Sequence, residues 1–224
     1  ICAGLVAHPA RVVRTMNTPT NSRLCVQGPI VSRPPPDHTS PMDGNIAPGF
    51  LVAMPSLVDP NFNRTVILMC AHSEEGAFGL VMNRPMDITV PQICREAGIS
   101  WSGPDVPMIH RGGPVEPQRG WIIHDTLEMY EGSELINDQM AFTSSQEGLV
   151  AYGRQPAGRF RLVLGYAGWG PAQLDREMAE GSWLSTPIDP RVVFDLQPEQ
   201  MWEAALRVVG VDPMHLVDGG PMVH

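Results

Sequence analysis

The sequence predicts a single α+β domain, and three observations carry that prediction. Short apolar runs rich in β-branched residues recur from Gly49 onward, separated by Pro, Gly, Asn and Asp. Amphipathic stretches that open on proline or serine and stop at glycine lie among them. Strand candidates also follow one another early in the chain, an order that fits α+β better than the regular alternation of a doubly wound sheet.

The elements follow in order. "GFLVAM" and "RTVILMC" (Arg64 to Cys70) read as buried strands, joined by the Pro- and Asn-punctuated link "PSLVDPNFN". "AFGLVMN" (Ala77 to Asn83) is a third strand reached through "SEEG", and Pro85 is expected to end its pairing because it has no N–H to donate. "VPQICREAG" reads as a short helix with Pro91 in its first turn and Gly98 as its stop. "VPMIH" and "GWIIHD" are strand candidates on either side of "RGGPVEPQR", and "QMAFT" follows as another. Ser144 and Glu147 have capping-box spacing for a helix running to about Gly153. "RFRLVLGYA" (Arg159 to Ala167) is expected to be the longest strand, and Pro171 to open the helix "PAQLDREMAEG". "RVVFD" reads as a late strand and "PEQMWEAALRVVG" as a final helix, with Trp202, Ala205, Leu206 and Val209 on one apolar face.

Residues 1–45 are different in kind. They contain seven prolines, including Pro34 to Pro36, and show no sustained periodicity, so they are expected to be disordered. The chain opens on Ile1, and Met16 and Met42 are both candidate starts, which makes this segment an extension upstream of the true initiator or a mobile tail. The folded domain is expected over 46–224.

Charge and cysteines restrict the function classes. All fifteen basic residues are arginine, so no lysine is available for a Schiff base or a phosphate-binding loop. Arg11, Arg14, Arg23 and Arg33 face Asp37 and Asp43 in the first 45 residues, a balance of +2, whereas the rest of the chain carries −11. Direct nucleic-acid binding, which rests on neutralising phosphates, is therefore not expected of the acidic body. Cys2, Cys25, Cys70 and Cys94 form no CxxC, and Cys70 and Cys94 read as buried free thiols suited to a reduced, cytoplasmic setting. No apolar run approaches membrane-spanning length, and "ICAGLVA" does not make a signal peptide.

Three segments, "FLVAMPSLVDPNFNRTVILMCAHSEEGAFGLVMNRP", "HRGGPVEPQRGWIIHD" and "LGYAGWGPAQLDREMAEGSWL", resemble the YqgE/AlgH family of bacterial proteins from about residue 46 to the C-terminus. Ala172 stands where that family more often has glycine, and Ala71 where an acidic residue is common. The resemblance implies a mixed α+β domain whose barrel-like, bifurcated sheet is surrounded by helices. It also implies a cytosolic protein with no established catalytic activity. One branch carries the name of a transcriptional regulator of exopolysaccharide (alginate) synthesis without a recognisable DNA-binding motif.

For each piece of chemistry the sequence offers a functional and a structural reading. Gly112-Gly113-Pro114 has the composition of an anion cradle, with Arg111 and Arg119 adding charge, but it equally suits a connection that needs positive φ and an end to pairing. The context favours the connection, and Arg111 keeps the anion reading open. His72, His110 and His124 lack metal-ligand spacing, and no metal or other cofactor is expected. Cys70 and His72 share a face only if the strand runs on regularly. "GYAGWG" leads from a strand to a helix, where Gln173 and Glu177, one turn apart, could address a ligand with Trp169 and Trp183 as a stacking wall, or the glycines could permit close strand–helix packing while the tryptophans fill core.

The expected function is that of a regulatory or adaptor protein acting through an unknown protein partner or a small anionic metabolite. Its expected binding residues are Asn83, Arg84, Arg111, Gly112, Gly113, Trp169 and Gln173. The alternative is a hydrolase-type enzyme using His110 or His124 with Arg111.

Overall fold

Strand alternation decides how this chain closes on itself. In a computed structural model, which describes residues 46–103, 108–130, 132–155 and 158–217, Phe50 and Val52 of β1 (Gly49–Ala53) face one apolar cluster, and Leu51 and Ala53 face another. The same split divides β2 (Val66–Ser73), whose Val66 and Leu68 join the first cluster and Ile67 and Met69 the second. Successive side chains on a strand point to opposite faces, so a run apolar throughout must be covered on both sides. α5 (Pro198–Val208) covers the first face through Met201, Trp202, Ala205 and Leu206, and Trp202 Nε1 donates to the Ala53 carbonyl at 2.8 Å. α3 (Gln173–Ala179) covers the second through Leu174.

The sheet has ten strands, with the order β10-β1-β2-β3-β9-β6-β8-β7 along its main path. β3 (Gly76–Val81), β6 (Val115–Asp125), β7 (Glu134–Leu135), β8 (Met140–Thr143), β9 (Phe160–Trp169) and β10 (Trp183–Thr186) complete that path. β4 (Pro85–Thr89) and β5 (Met108–Arg111) form a branch that joins β9 through β5. Along one edge of β9, β3 pairs with Ala167 to Trp169, and β5 runs parallel to it at Val163 and Leu164. The sheet therefore forks at β9, and the fork makes it mixed. The first apolar cluster runs on without a break from Phe50, Leu68 and Leu80 to Trp121, Phe142 and Val163, so the two halves curl around it as a half-barrel. A third cluster, with Ile109, Ile122 and Leu162 under Ile93 of α1 (Val90–Glu96) and Tyr152 of α2 (Gln146–Arg154), covers the outer side of the branch.

The structure corrects several sequence expectations. Pro85 does not end pairing; it is the first residue of β4 and lies opposite His110, because an edge strand tolerates a residue without an N–H at its first position. "RVVFD" is not a strand. It lies in α4 (Pro190–Phe194), where the Asp189 carboxylate accepts the Arg191 N–H at 2.9 Å and Pro190 occupies the first turn. The cap of α2 is Ser145, one residue later than expected, with Oγ accepting from Gly148 N–H at 2.8 Å. α3 begins at Gln173 rather than Pro171. At 11 residues β6 is longer than β9, at 10. Val209 caps α5 and is exposed, so Met201 completes its buried face instead. β7, β10 and α6 (Pro213–Val217) have no counterpart in the sequence reading. The expectations for residues 1–45, Cys2 and Cys25 included, lie outside the described residues.

Candidate functional site: two clefts across the β4–β5 ladder

The glycine pair after β5 marks a strand crossing. His110 of β5 and Trp121 of β6 both pair with Val163, so β5 and β6 lie on opposite edges of β9 and do not form a hairpin. The chain must step over β9 between them. It does so at Gly112 and Gly113: a Cβ on Gly112 would stand 2.3 Å from the Gly165 carbonyl oxygen, and one on Gly113 2.2 Å from the Tyr166 carbonyl carbon. Backbone this close to backbone leaves no room for any side chain. The Gly112 N–H donates to Leu164 O at 2.7 Å and its carbonyl accepts from Val81 N–H at 2.8 Å, so both groups serve the sheet.

Alternation on β5 then sends its side chains into different places. Arg111 is exposed and lines a cleft of about 460 Å³ together with Arg84, Asp87, Asn61, Pro85 and Gly113. Arg84 is half-buried, donates through Nη2 to the Asn63 carbonyl, and has its pKa lowered by burial. Among the described residues Arg111 has no ion-pair partner. Two guanidinium groups against the single carboxylate of Asp87 give this cleft a positive balance in a chain of net charge −9. Planar guanidinium forks suit carboxylate or phosphate oxygens.

His110 points the other way, into a cleft of about 400 Å³ that also holds Arg161, Phe194, Asp195 and Glu199. Arg161 donates Nη1 to His110 Nε2 at 3.0 Å, Nη2 to Leu196 O at 2.8 Å and Nε to Val193 O. Its pKa is pushed down to about 10 by burial, an effect that Asp195 opposes. Burial first, then the Arg161 charge, push His110 down to about 4, and its Nδ1 turns toward the Met108 backbone without reaching hydrogen-bond geometry. The imidazole is thus neutral, with its accepting nitrogen occupied by Arg161. Arg161 pins the β9 strand to the end of α4.

The remaining sequence candidates are placed separately. Asn83 is buried, with Oδ1 accepting Val66 N–H at 3.0 Å and Nδ2 donating to Arg64 O at 2.8 Å, and so extends the β2–β3 ladder with a side-chain amide. Trp169 and Gln173 meet at Glu177. Its Oε2 accepts from Trp169 Nε1 at 3.0 Å and Trp183 Nε1 at 2.8 Å, and its Oε1 from Gln173 Nε2 at 2.9 Å. Of the expected binding set, the structure brings Arg84, Arg111 and Gly113 to one cleft, whereas Asn83 and Gly112 serve the sheet and do not line it. Trp169 and Gln173 form a different polar knot. His72 accepts from Ile46 N–H at 3.4 Å and sits 3.5 Å from Asp175. A bulge between Met69 and Ala71 turns His72 toward α3, whereas Cys70 packs against the first cluster, so the two do not pair. Cys70 is half-buried rather than buried, Cys94 is buried, and burial raises both thiol pKa values. Among the described residues no three His, Cys, Asp or Glu side chains cluster as metal ligands.

His124 is buried within β6 and meets a residue that the sequence reading passed over. Its Nδ1 lies 2.7 Å from the Asp125 carbonyl oxygen and its Nε2 3.0 Å from Ser133 Oγ. His110, Arg111 and His124 are therefore not assembled together. The Asn61 and Asp87 walls of the arginine cleft leave no local pattern in the sequence, because they come from the β1–β2 loop and an edge strand that meet only in the folded chain.

These features define an α+β protein of the curled half-barrel type, with its sheet forked at one central strand. A family model described as AlgH-like (DUF179) matches residues 50–214, and the chain belongs to that family. It is 43% identical over 180 residues to a UPF0301 protein of Myxococcus xanthus, covering 80% of this chain and 98% of that protein. A UPF0301 protein of Magnetococcus marinus is 40% identical over 174 residues, covering 77% of this chain and 94% of that one. The solution structure of the AlgH protein from Pseudomonas aeruginosa superposes with a TM-score of 0.65 at 32% identity, over 84% of this chain and 100% of that one. A crystal structure from Corynebacterium diphtheriae, at 24% identity and a TM-score of 0.60, covers 72% of this chain and 85% of that one and shares the fold.

Proposed function

We propose that the protein is a regulatory or adaptor protein of the bacterial cytoplasm. On this reading it recognises a small anion, or an acidic group on a protein partner, in the Arg84–Arg111 cleft. The observation that carries this reading is an unpaired Arg111 guanidinium beside a desolvated Arg84 in one concavity. An arriving carboxylate or phosphate restores to Arg84 the solvation that burial removes. Free Cys70 and Cys94 fit a reducing compartment, and no described helix is long and apolar enough to cross a membrane. Any link to transcription runs through a protein partner, since an acidic body repels nucleic acid.

The test is thermal unfolding of the full chain with inorganic phosphate, pyrophosphate and malonate. A ligand at about a hundred times its Kd stabilises by roughly 2.7 kcal/mol, which raises Tm by about 5–10 °C in a domain of this size. The rise is expected to vanish in Arg111→Gln. A flat response to all three leaves only the protein-contact form of the proposal.

A further inference from the structure

Outside both clefts, a hydrogen-bond chain runs from the Asp125 carbonyl through His124 to Ser133. The Asp125 carbonyl oxygen, 2.7 Å from His124 Nδ1, can only accept, so Nδ1 carries the ring hydrogen. In the neutral ring Nε2 then has only a lone pair, and Ser133 Oγ, 3.0 Å away, must donate to it. Tyr130 N–H donates to the same Oγ at 3.3 Å and takes up one of its lone pairs. A hydroxyl proton aimed at an oriented imidazole nitrogen is the geometry of an activated nucleophile. The orienting group is a main-chain carbonyl; the Asp125 carboxylate is engaged by Arg159, whose N–H lies 2.8 Å from Oδ2.

The surroundings suit an acyl group. Ser133 is half-buried beside exposed Gly132, and a Cβ on Gly132 would stand 3.1 Å from Cβ of Ser145, the N-cap of the nine-residue helix α2. The N-terminus of that helix thus adjoins the residue before Ser133, and its positive end adds a field that favours developing negative charge nearby. Leu127, Met129 and Leu135, flanking Ser133 in sequence, are exposed at 76%, 50% and 53%. Those side chains offer apolar surface to a hydrocarbon chain.

We propose that Ser133 and His124 form a nucleophile–base pair that accepts an acyl group from an activated apolar ester. Ser133 Oγ forms a bond to the ester carbonyl carbon as its proton passes to His124 Nε2. The tetrahedral intermediate collapses, the carbon–alkoxide bond breaks, and the imidazolium returns the proton to the departing alkoxide. The products are acyl-Ser133 and one alcohol. This site is separate from the arginine cleft and does not rest on it.

The experiment exposes the full chain to a long-alkyl fluorophosphonate, whose fluoride leaves as Oγ bonds to phosphorus, and to p-nitrophenyl octanoate. Peptide mapping of the unsubstituted chain should place one adduct on Ser133, with a matching burst of p-nitrophenolate. Ser133→Ala should abolish both. In His124→Gln, shown to be folded by its thermal transition, labelling should slow by about a hundredfold. The absence of an adduct on Ser133 in the unsubstituted chain overturns the proposal. So does labelling at an undiminished rate in folded His124→Gln.

Discussion

His110 sits neutral at about pKa 4 in the folded chain because burial and Arg161 both oppose its charge. An unfolded histidine titrates near 6.5. Between those values the unfolded chain binds the proton and the folded chain does not, so stability falls as pH drops from about 6.5 to about 4. The full effect is on the order of 3 kcal/mol. Urea unfolding at pH 7.5 and pH 4.5 should show a smaller loss in His110→Gln than in the unsubstituted chain; equal losses would mean that His110 does not carry this titration. Ala172 makes a second prediction at this scale. Its φ of 55° places an exposed alanine in the left-handed region, which costs a side chain roughly 1–2 kcal/mol. Ala172→Gly should relieve that strain against about 0.4–1 kcal/mol of added unfolded-state entropy. The net gain expected in the same assay is about 0.5–1 kcal/mol. At this scale the sequence was informative about identity but not about partners. Arg111 is legible as a free cation from its residue type, whereas the clamp of Arg161 on His110 joins residues 51 apart and leaves no local pattern.

Among the elements, the crossing at Gly112–Gly113 is the point of least tolerance. Gly113→Ala would drive a methyl into the Tyr166 backbone, which belongs to the central strand and cannot move aside. Overpacking of this kind costs about 3 kcal/mol or more, a fall in Tm of roughly 6–12 °C. A variant within 2 °C of the unsubstituted chain would contradict the crossing. The elements that sequence periodicity revealed are those buried on one or both faces, such as β1, β2, β9 and α5, where burial demands the apolar pattern. β4, β7 and β10 escaped because edge strands are short and free of that demand. α4 looks like a strand because of Val192-Val193, although Asp189-Pro190 in front of it is a helix start.

For the whole molecule, charge and topology set the behaviour. With a net charge of −9, the chain should give no duplex-DNA mobility shift at physiological salt, and a salt-sensitive shift there would contradict the charge argument. Sheet topology sets a different constraint. β9 is the strand that β3, β5 and β6 all require as a neighbour, and it lies late in the chain, at residues 160–169. Distant pairings delay folding because loop-closure entropy precedes any reward. During synthesis, then, the earlier strands wait with open edges until their common partner leaves the ribosome, and nascent chains halted before residue 160 should depend on chaperones more than the finished protein does.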